Sequence, residues 1–343
     1  MGLTRGSTAL WTFVITSVAL FMVTLDNLVV TMALPVIRKD LGASLEDLEW
    51  TVNAYTLTFA VLLLTGAALG DRFGRKRMFA IGMGIFTLAS AAAALAPSVE
   101  ALVAARAAQG IGGALVTPLT LTLLSAAVPA EKRGLALGAW GGIGGLAVAI
   151  GPLVGGAVVE GISWQWIFWL NVPIGLLVLP LALRRLRESH GPYTSLDLRG
   201  LALASAGLFG IVWGVVRGNG QGWGSAEVLG ALGLGIALVA AFVLWELRSP
   251  NPMLPMRFFR NRTFALTNVA SLFMFFGMFG SIFLLRKGVD FRTIEADAVT
   301  GSRMGRPPAY RRIGHERRAA DRPTRGVRPG HGGTARAAAE LAL

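Results

Sequence analysis

The chain has 343 residues, of which 54% are hydrophobic and 15% are charged, and its net charge at pH 7 is +13. Its mean hydropathy of +0.60 is well above that of water-soluble domains, which excludes a soluble globular protein. Cysteine is absent and the three histidines lie in polar segments, so we expect no disulfide, no thiolate nucleophile, no metal site and no cofactor.

Apolar runs recur along most of the chain, and each is long enough to cross a hydrocarbon core of ~30 Å as a helix. Because lipid cannot satisfy backbone polar groups, these runs predict an all-α, polytopic transmembrane helical bundle. Lys and Arg collect in the loops after runs 2, 4, 6 and 8, which places those loops and the N-terminus in the cytoplasm. The predicted spans are 9–33, 50–70, 78–97, 101–128, 136–159, 166–183, 200–216, 226–246 and 264–285.

Asp26 lies in the middle of the first run, in the segment VTLDNLVVTMALP (23–35). A charged Asp at mid-span costs about 2.5 to 3.5 kcal/mol on insertion scales, so such residues usually face a cavity or a partner and mark ion pathways. We therefore predict that Asp26 carries protons. An alternative stays open, in which the carboxylate is bonded only to a neighbouring hydroxyl or backbone group for packing.

The loop after the second run reads ALGDRFGRKR (68–77) and contains one acid among four cations. A tight turn relieved by Gly74, with cations that anchor the chain to anionic lipid, explains the positive charges. It does not explain Asp71, which can pair with Arg72 or Arg75 or lie near the positive end of a helix dipole.

The fourth run contains Arg106, Gln109, Gly110, Gly113 and Thr117, whose spacing puts them on one helical face. An Arg near a helix end can also snorkel from a lipid-facing position. The glycines and the Gln on the same stripe favour a packed polar interface between helices over contact with lipid.

The fifth run is rich in glycines at helical spacing, among them Gly151, Gly155 and Gly156, which let helices approach to backbone contact. Pro152 removes a hydrogen bond to the preceding turn, so we expect a bend there. A close-packed structural helix is the simplest explanation of this pattern.

Taken together, these segments resemble the major facilitator superfamily. The loop over 68–77 is similar to that family's G-x-L-a-D-r-x-G-r-k motif, and the fourth run is similar to its R-x-x-q-G motif. The resemblance implies a gating latch formed by Asp71, Arg72, Gly74, Arg75 and Lys76. It also links Arg106 to proton coupling.

Two further segments resemble drug exporters within this family. The residues Gly151, Pro152, Gly155 and Gly156 resemble the core of the antiporter motif, G-P-x-x-G-G. The segment LDNLVVTMALP resembles the helix 1 motif of drug:proton antiporters with fourteen spans, although Leu28 and Met32 depart from it. Our candidates for the substrate path are Asn27, Asn53, Tyr55 and Gln109.

The resemblance implies a six-helix N-terminal half over 1–184, a linker with two further helices over 185–262 and the first helix of a second half over 263–285. Residues 286–343 lose all apolar runs and become rich in Arg, Gly, Ala and Pro. They are either a disordered basic tail or an out-of-frame translation. We favour the second, because the change falls where helix 9 ends, and we expect a C-terminally truncated chain.

The expected function is proton-coupled export of a hydrophobic or cationic small molecule across the bacterial inner membrane. Protons and the lipid bilayer are the other expected partners, whereas nucleic acid is not expected and the oligomeric state is not indicated. The alternatives are a non-transporting remnant, a half-transporter that needs a second chain, and a nutrient importer, which the fifth run disfavours. An enzyme is not expected, because no nucleophile, metal cluster or phosphate loop is evident.

Overall fold

The computed structural model describes residues 5–191, 197–249, 252, 254 and 256–286. The predicted tail over 286–343 lies outside these residues except for Arg286. The described residues up to Val269 form one compact unit, and those from Ala270 onward belong to another.

The described residues form ten α-helices and one short 3-10 helix at Met256–Arg260. No strand occurs in this part of the chain, which confirms the all-α prediction. The α-helices are α1 Arg5–Leu41, α2 Leu45–Phe73, α3 Arg75–Ala94, α4 Val99–Ala127, α5 Ala130–Gly161, α6 Trp166–Trp169, α7 Asn171–Arg185, α8 Leu198–Gln221, α9 Ala226–Arg248 and α10 Arg262–Arg286.

Eight segments of the described chain are long and apolar enough to cross a membrane, and they coincide with the first eight predicted spans. One of them, Trp166–Arg185, combines α6 and α7 and is interrupted at Leu170. The ninth predicted span coincides with α10, so its helical state is confirmed and its crossing of the membrane stays a prediction. The chain is a multi-pass membrane protein.

Helix boundaries follow from local capping chemistry. Ser44 and Asp47 form a reciprocal capping box at the start of α2, which satisfies two backbone N–H groups that have no partner within the helix. Gly74 separates α2 from α3 and has a φ of 106°, a conformation that residues with a Cβ rarely adopt. The predicted tight turn therefore occurs at the predicted glycine.

Two apolar clusters form the core of the unit Met1–Val269. The first, the Phe168 cluster, comprises Leu25, Val29, Val30, Ala33, Ile37, Ala43, Leu48, Ala93, Ala94, Val99, Leu102, Ala105, Ala147, Trp164, Ile167 and Phe168. The second, the Phe86 cluster, comprises Ile15, Ala19, Met22, Val23, Tyr55, Phe79, Met83, Phe86, Val116, Leu119, Leu123, Val178, Ala182 and Leu186. Helices α1, α2, α3 and α4 and the segment α6–α7 contribute to both clusters.

Candidate functional site

A layer of polar side chains lies inside the helix bundle, between the two apolar clusters. It consists of Asp26 from α1, Ser90 from α3, Arg106 and Gln109 from α4, and Asn171 from the first turn of α7, and all five are buried. The side chains of Asp26 and Arg106 have 0% solvent exposure. We call these five residues the polar layer.

The Asp26 carboxylate accepts three hydrogen bonds within the polar layer. Its Oδ2 accepts from Arg106 Nη1 at 2.6 Å, which makes a buried ion pair. Its Oδ1 accepts from Gln109 Nε2 at 2.9 Å and from Asn171 Nδ2 at 2.6 Å. Asp26 thus faces charged and amide partners, as predicted for an acid at mid-span. The alternative of hydroxyl or backbone partners alone is wrong.

Arg106 is also held by two groups of α2. Its Nε donates to the Thr51 carbonyl oxygen at 3.3 Å, and its Cζ lies 4.3 Å from the centroid of the Tyr55 ring. Its Nη2 has no hydrogen-bond partner among the described residues. A lipid-facing Arg106 is therefore excluded, and one of its donors is left free to bond in another arrangement of the helices.

Ser90 connects the amides of the polar layer to the backbone. Its hydroxyl accepts from Asn171 Nδ2 at 3.0 Å and from Gln109 Nε2 at 3.3 Å, and it donates to the Phe168 carbonyl oxygen at 2.9 Å. These bonds fix the two amides in the orientation in which they donate to Asp26.

Apolar residues flank the polar layer on both sides. On α1, Met22 and Val23 of the Phe86 cluster precede Asp26, and Val29 and Val30 of the Phe168 cluster follow it. Helices α3, α4 and the segment α6–α7 show the same arrangement, with the flanking pairs Phe86 and Ala93, Ala105 and Val116, and Phe168 and Val178. Because the carboxylate has no solvent exposure, proton exchange with water requires the layer to open.

The chemistry open to the polar layer is the gain and loss of charge. In a buried pair, removal of one charge leaves the other uncompensated, which costs several kcal/mol and favours rearrangement. A proton on Asp26 would have this effect on Arg106. Among the described residues no group of three or more His, Asp or Glu is arranged to hold a metal ion.

The predicted gating residues lie at the junction of α2 and α3. Asp71 Oδ1 and Arg75 Nε are 2.8 Å apart and form an ion pair across this junction. Arg72 places its guanidinium 5.3 Å from the centroid of the Phe73 ring, and Lys76 lies in the first turn of α3. Of the two partners that the sequence allows for Asp71, the structure selects Arg75.

The segment that follows α7, residues 186–191, lies against this junction, and we call it the linker strap. The Glu188 carboxylate accepts the backbone N–H of Lys76 at 2.8 Å at the start of α3. The backbone N–H of Gly191 donates to the Asp71 carbonyl oxygen at 2.9 Å. The linker strap thus caps α3 and holds the end of α2, a role that the sequence did not indicate.

Two of the three glycines predicted for the antiporter motif, Gly151 and Gly155, lie at the contact between α5 and α1. A Cβ on Gly151 would lie 2.9 Å from the Leu28 Cβ, and one on Gly155 would lie 3.1 Å from the Met32 Cβ. In contrast, no atom lies within 4 Å of a Cβ placed on Gly156. The two positions at which helix 1 departs from the resembled motif are thus the side chains that fill the grooves of α5. Pro152 lies on the exposed side of α5.

The predicted substrate-path residues separate into two groups. Tyr55 and Gln109 are buried at the polar layer, where they contact Arg106. Asn27 is half-buried on α1, and Asn53 lines a cavity of about 300 Å³ between α2 and α8. The structure therefore joins two of the four to the ion pair and leaves the other two apart from it.

Ser90 and Asn171 are site residues that the sequence analysis missed. Asn171 occurs in the segment FWLNVPIG, where a lone Asn at the start of an apolar run was a usable signal. Ser90 lies in a run of small residues, ASAAAA, and carries no such signal. Only the packing of α3 against α4 and α7 brings its hydroxyl to the layer.

The family model described as Major Facilitator Superfamily matches residues 16–293. The chain is 37% identical over 276 residues to the tetracenomycin C resistance and export protein of Streptomyces glaucescens, covering 80% of this chain and 51% of that protein. It is 38% identical over 279 residues to multidrug resistance protein Stp of Mycobacterium tuberculosis, covering 81% and 52%. The chain spans about half the length of the curated relatives it matches.

Among solved structures, the chain is similar to a peptide transporter POT crystallised with sulfate. The TM-score is 0.52 at 16% identity, and the match covers 73% of this chain and 57% of that one. A likeness at this identity concerns the fold, and it agrees with the arrangement of transmembrane helices described above.

Proposed function

The chain belongs to the Major Facilitator Superfamily, and from this premise we propose that it is the part of a proton-coupled exporter that contains the proton-binding site. The cargo is a hydrophobic or cationic small molecule. Similarity to proteins named for tetracenomycin C export and multidrug resistance supports export as the direction. The sequence supports it further, because Gly151 and Gly155, which contact α1, resemble the core of the antiporter motif.

The observation that carries the proposal is the buried ion pair between Asp26 and Arg106 at 2.6 Å. A salt bridge in a dry interior contributes little net stability, because desolvation offsets the attraction between the charges. The burial of this pair among packed helices is thus better explained by a role in transport than by a contribution to the stability of the fold.

Proton binding at Asp26 would drive the conformational change. The neutral acid loses the ionic part of its bond to Arg106, and the guanidinium then needs another acceptor or water. Helices α1 and α4 would shift until Arg106 is solvated, which opens the polar layer. Loss of the proton would restore the pair and close it again, so that each proton corresponds to one change of access.

The ion pair of Asp71 and Arg75 and the α5–α1 contact would transmit this motion. A shift of α1 against α5 must pass Leu28 over Gly151, where the close approach leaves little room. A shift of α2 moves Asp71, which the linker strap holds. We assign the loops after spans 2, 4, 6 and 8, and the N-terminus, to the cytoplasmic side of the bacterial cell membrane, because basic residues collect in these loops.

Dye transport in inverted membrane vesicles that contain this chain tests the proposal. With an acidified vesicle interior, the wild-type chain should accumulate ethidium, a hydrophobic cation, above vesicles without it. Asp26→Asn should abolish this accumulation. Asp47→Asn, which removes a carboxylate outside the polar layer, should not. Equal accumulation by the Asp26→Asn and wild-type chains would refute the assignment of the proton site, and no accumulation by wild type would refute export by this chain.

A further inference from the structure

A cavity of about 700 Å³ lies at the other end of the bundle from the Phe168 cluster, away from the polar layer. Its walls come from the first described turns of α1, the last turn of α4, the first turn of α5 with the loop before it, and the linker strap. The residues that line it include the buried side chains Thr12, Leu123, Val128 and Leu186. The Phe86 cluster separates this cavity from Asp26.

Charged groups that line the cavity are mostly basic. Lys132, Arg133 and Arg187 contribute three cations, and none of them forms an ion pair with a carboxylate among the described residues. Glu188 also lines the cavity, but its oxygens already accept the backbone N–H groups of Lys76 and its neighbour. The cavity therefore offers positive charge that this part of the chain does not neutralise.

The Ser189 hydroxyl provides a second indication of a ligand. It lines the cavity, its oxygen is buried, and it has no hydrogen-bond partner among the described residues. Buried hydroxyls are nearly always bonded, so an unpartnered one beside a cavity is suited to bond what fills it. A hydroxyl, two guanidinium groups and an ammonium form a set of donors that suits a phosphate.

The remaining wall is apolar and lies at the ends of the membrane-spanning segments α1 and α4. Ala9, Leu123, Ala126 and Val128 provide surface for hydrocarbon beside the cations. Nearby, the Arg185 guanidinium stacks 5.0 Å from the centroid of the Trp11 ring. Trp and Arg side chains are typical of the headgroup level, where basic pockets between helices on the cytoplasmic side bind anionic lipid.

We propose that this cavity binds one anionic phospholipid, with its phosphodiester between Lys132, Arg133 and Arg187 and an acyl chain along the wall that contains Leu123 and Ala126. A free phosphate would use the same donors but not the apolar wall. The bound lipid would join α1, α4 and the linker strap, and so connect membrane composition to the segment that holds the gating loop.

Native mass spectrometry of the purified 343-residue chain with added phosphatidylglycerol tests the site. Wild type should retain one lipid. The triple variant Lys132→Gln, Arg133→Gln, Arg187→Gln should bind at least about tenfold more weakly, because each basic residue near an anionic headgroup contributes roughly a factor of five. Ala126→Trp, which fills the cavity without changing its charge, should also weaken retention.

The matched control removes the same charge elsewhere, by Arg77→Gln, Arg248→Gln and Arg257→Gln, and should retain the lipid as wild type does. Equal weakening by both triple variants would show a general charge effect and overturn the proposal. Displacement of the lipid by inorganic phosphate at similar concentration would indicate an ion site, and equal retention of phosphatidylcholine would show no selection for charge. Either of these results also overturns it.

Discussion

Replacement of Asp26 by asparagine should strongly destabilise the folded chain, because it leaves Arg106 charged and buried without a counterion. The introduced amide can still accept from Gln109 and Asn171 through its oxygen, but its NH2 group then faces Arg106 Nη1, donor against donor. Breaking a buried pair by removing one partner costs about 3 to 5 kcal/mol. We expect a loss in that range in the free energy of unfolding.

The double variant separates charge from packing. Arg106→Met leaves Asp26 with both amide donors and able to take up a proton, so we expect a smaller loss of about 1 to 3 kcal/mol. Asp26→Asn with Arg106→Met removes both charges and should be more stable than Asp26→Asn alone. The sum of the losses of the two single variants should exceed the loss of the double variant by at least about 2 kcal/mol.

Unfolding can be measured by titration with sodium dodecyl sulfate in mixed micelles, with tryptophan fluorescence as the signal. Thr31→Val is the control on the same helix, since its hydroxyl bonds only to the Leu28 carbonyl oxygen, and it should cost less than about 1 kcal/mol. A cost of Asp26→Asn no larger than that of Thr31→Val would show that Arg106 does not need the carboxylate as its counterion. Simple addition of the two single effects would show the same.

Two further substitutions test the packing that surrounds the site. Gly155→Leu should disrupt the α5–α1 contact, because its side chain must displace Met32, and should cost about 1 to 3 kcal/mol in the same titration. Gly156→Leu is the control and should cost less, because no atom lies within 4 Å of a Cβ at this position. Equal costs of the two variants would contradict the close contact. Gly74→Ala should cost about 1 to 2 kcal/mol, because its φ of 106° is strained for alanine and its Cβ would meet the Glu188 carboxylate; if Gly74→Ala unfolds at the wild-type detergent concentration, the strain is absent.

The sequence predicted those site residues that are unfavourable in their own segment, whatever the rest of the fold. Asp26 and Arg106 are charges in apolar runs, and a charge there is expensive whatever the fold, so each residue was identifiable alone. Gly74 was identifiable because a tight turn after an apolar run needs a residue without a Cβ. The family resemblance, now confirmed, joined these positions into one motif set.

The sequence could not predict which residues surround the charges. Nothing in their own segments distinguishes Ser90 and Glu188. Their roles depend on contacts with residues far away in the chain, Asn171 for Ser90 and Lys76 for Glu188. Tyr55 and Gln109 were predicted for the substrate path, and in the structure they contact Arg106. The spacing of polar residues identifies the helical face on which they lie, but it does not identify the residues that this face contacts. Whether either also contacts cargo stays a prediction.

Infrared difference spectroscopy of the purified chain between alkaline and acidic buffer tests most directly whether Asp26 binds the coupled proton. In acidic buffer we expect the carbonyl band of a protonated carboxylic acid, which is absent from Asp26→Asn, together with amide changes as the helices shift. The same band in Asp26→Asn and wild type, or none in wild type, would show that Asp26 does not bind the coupled proton.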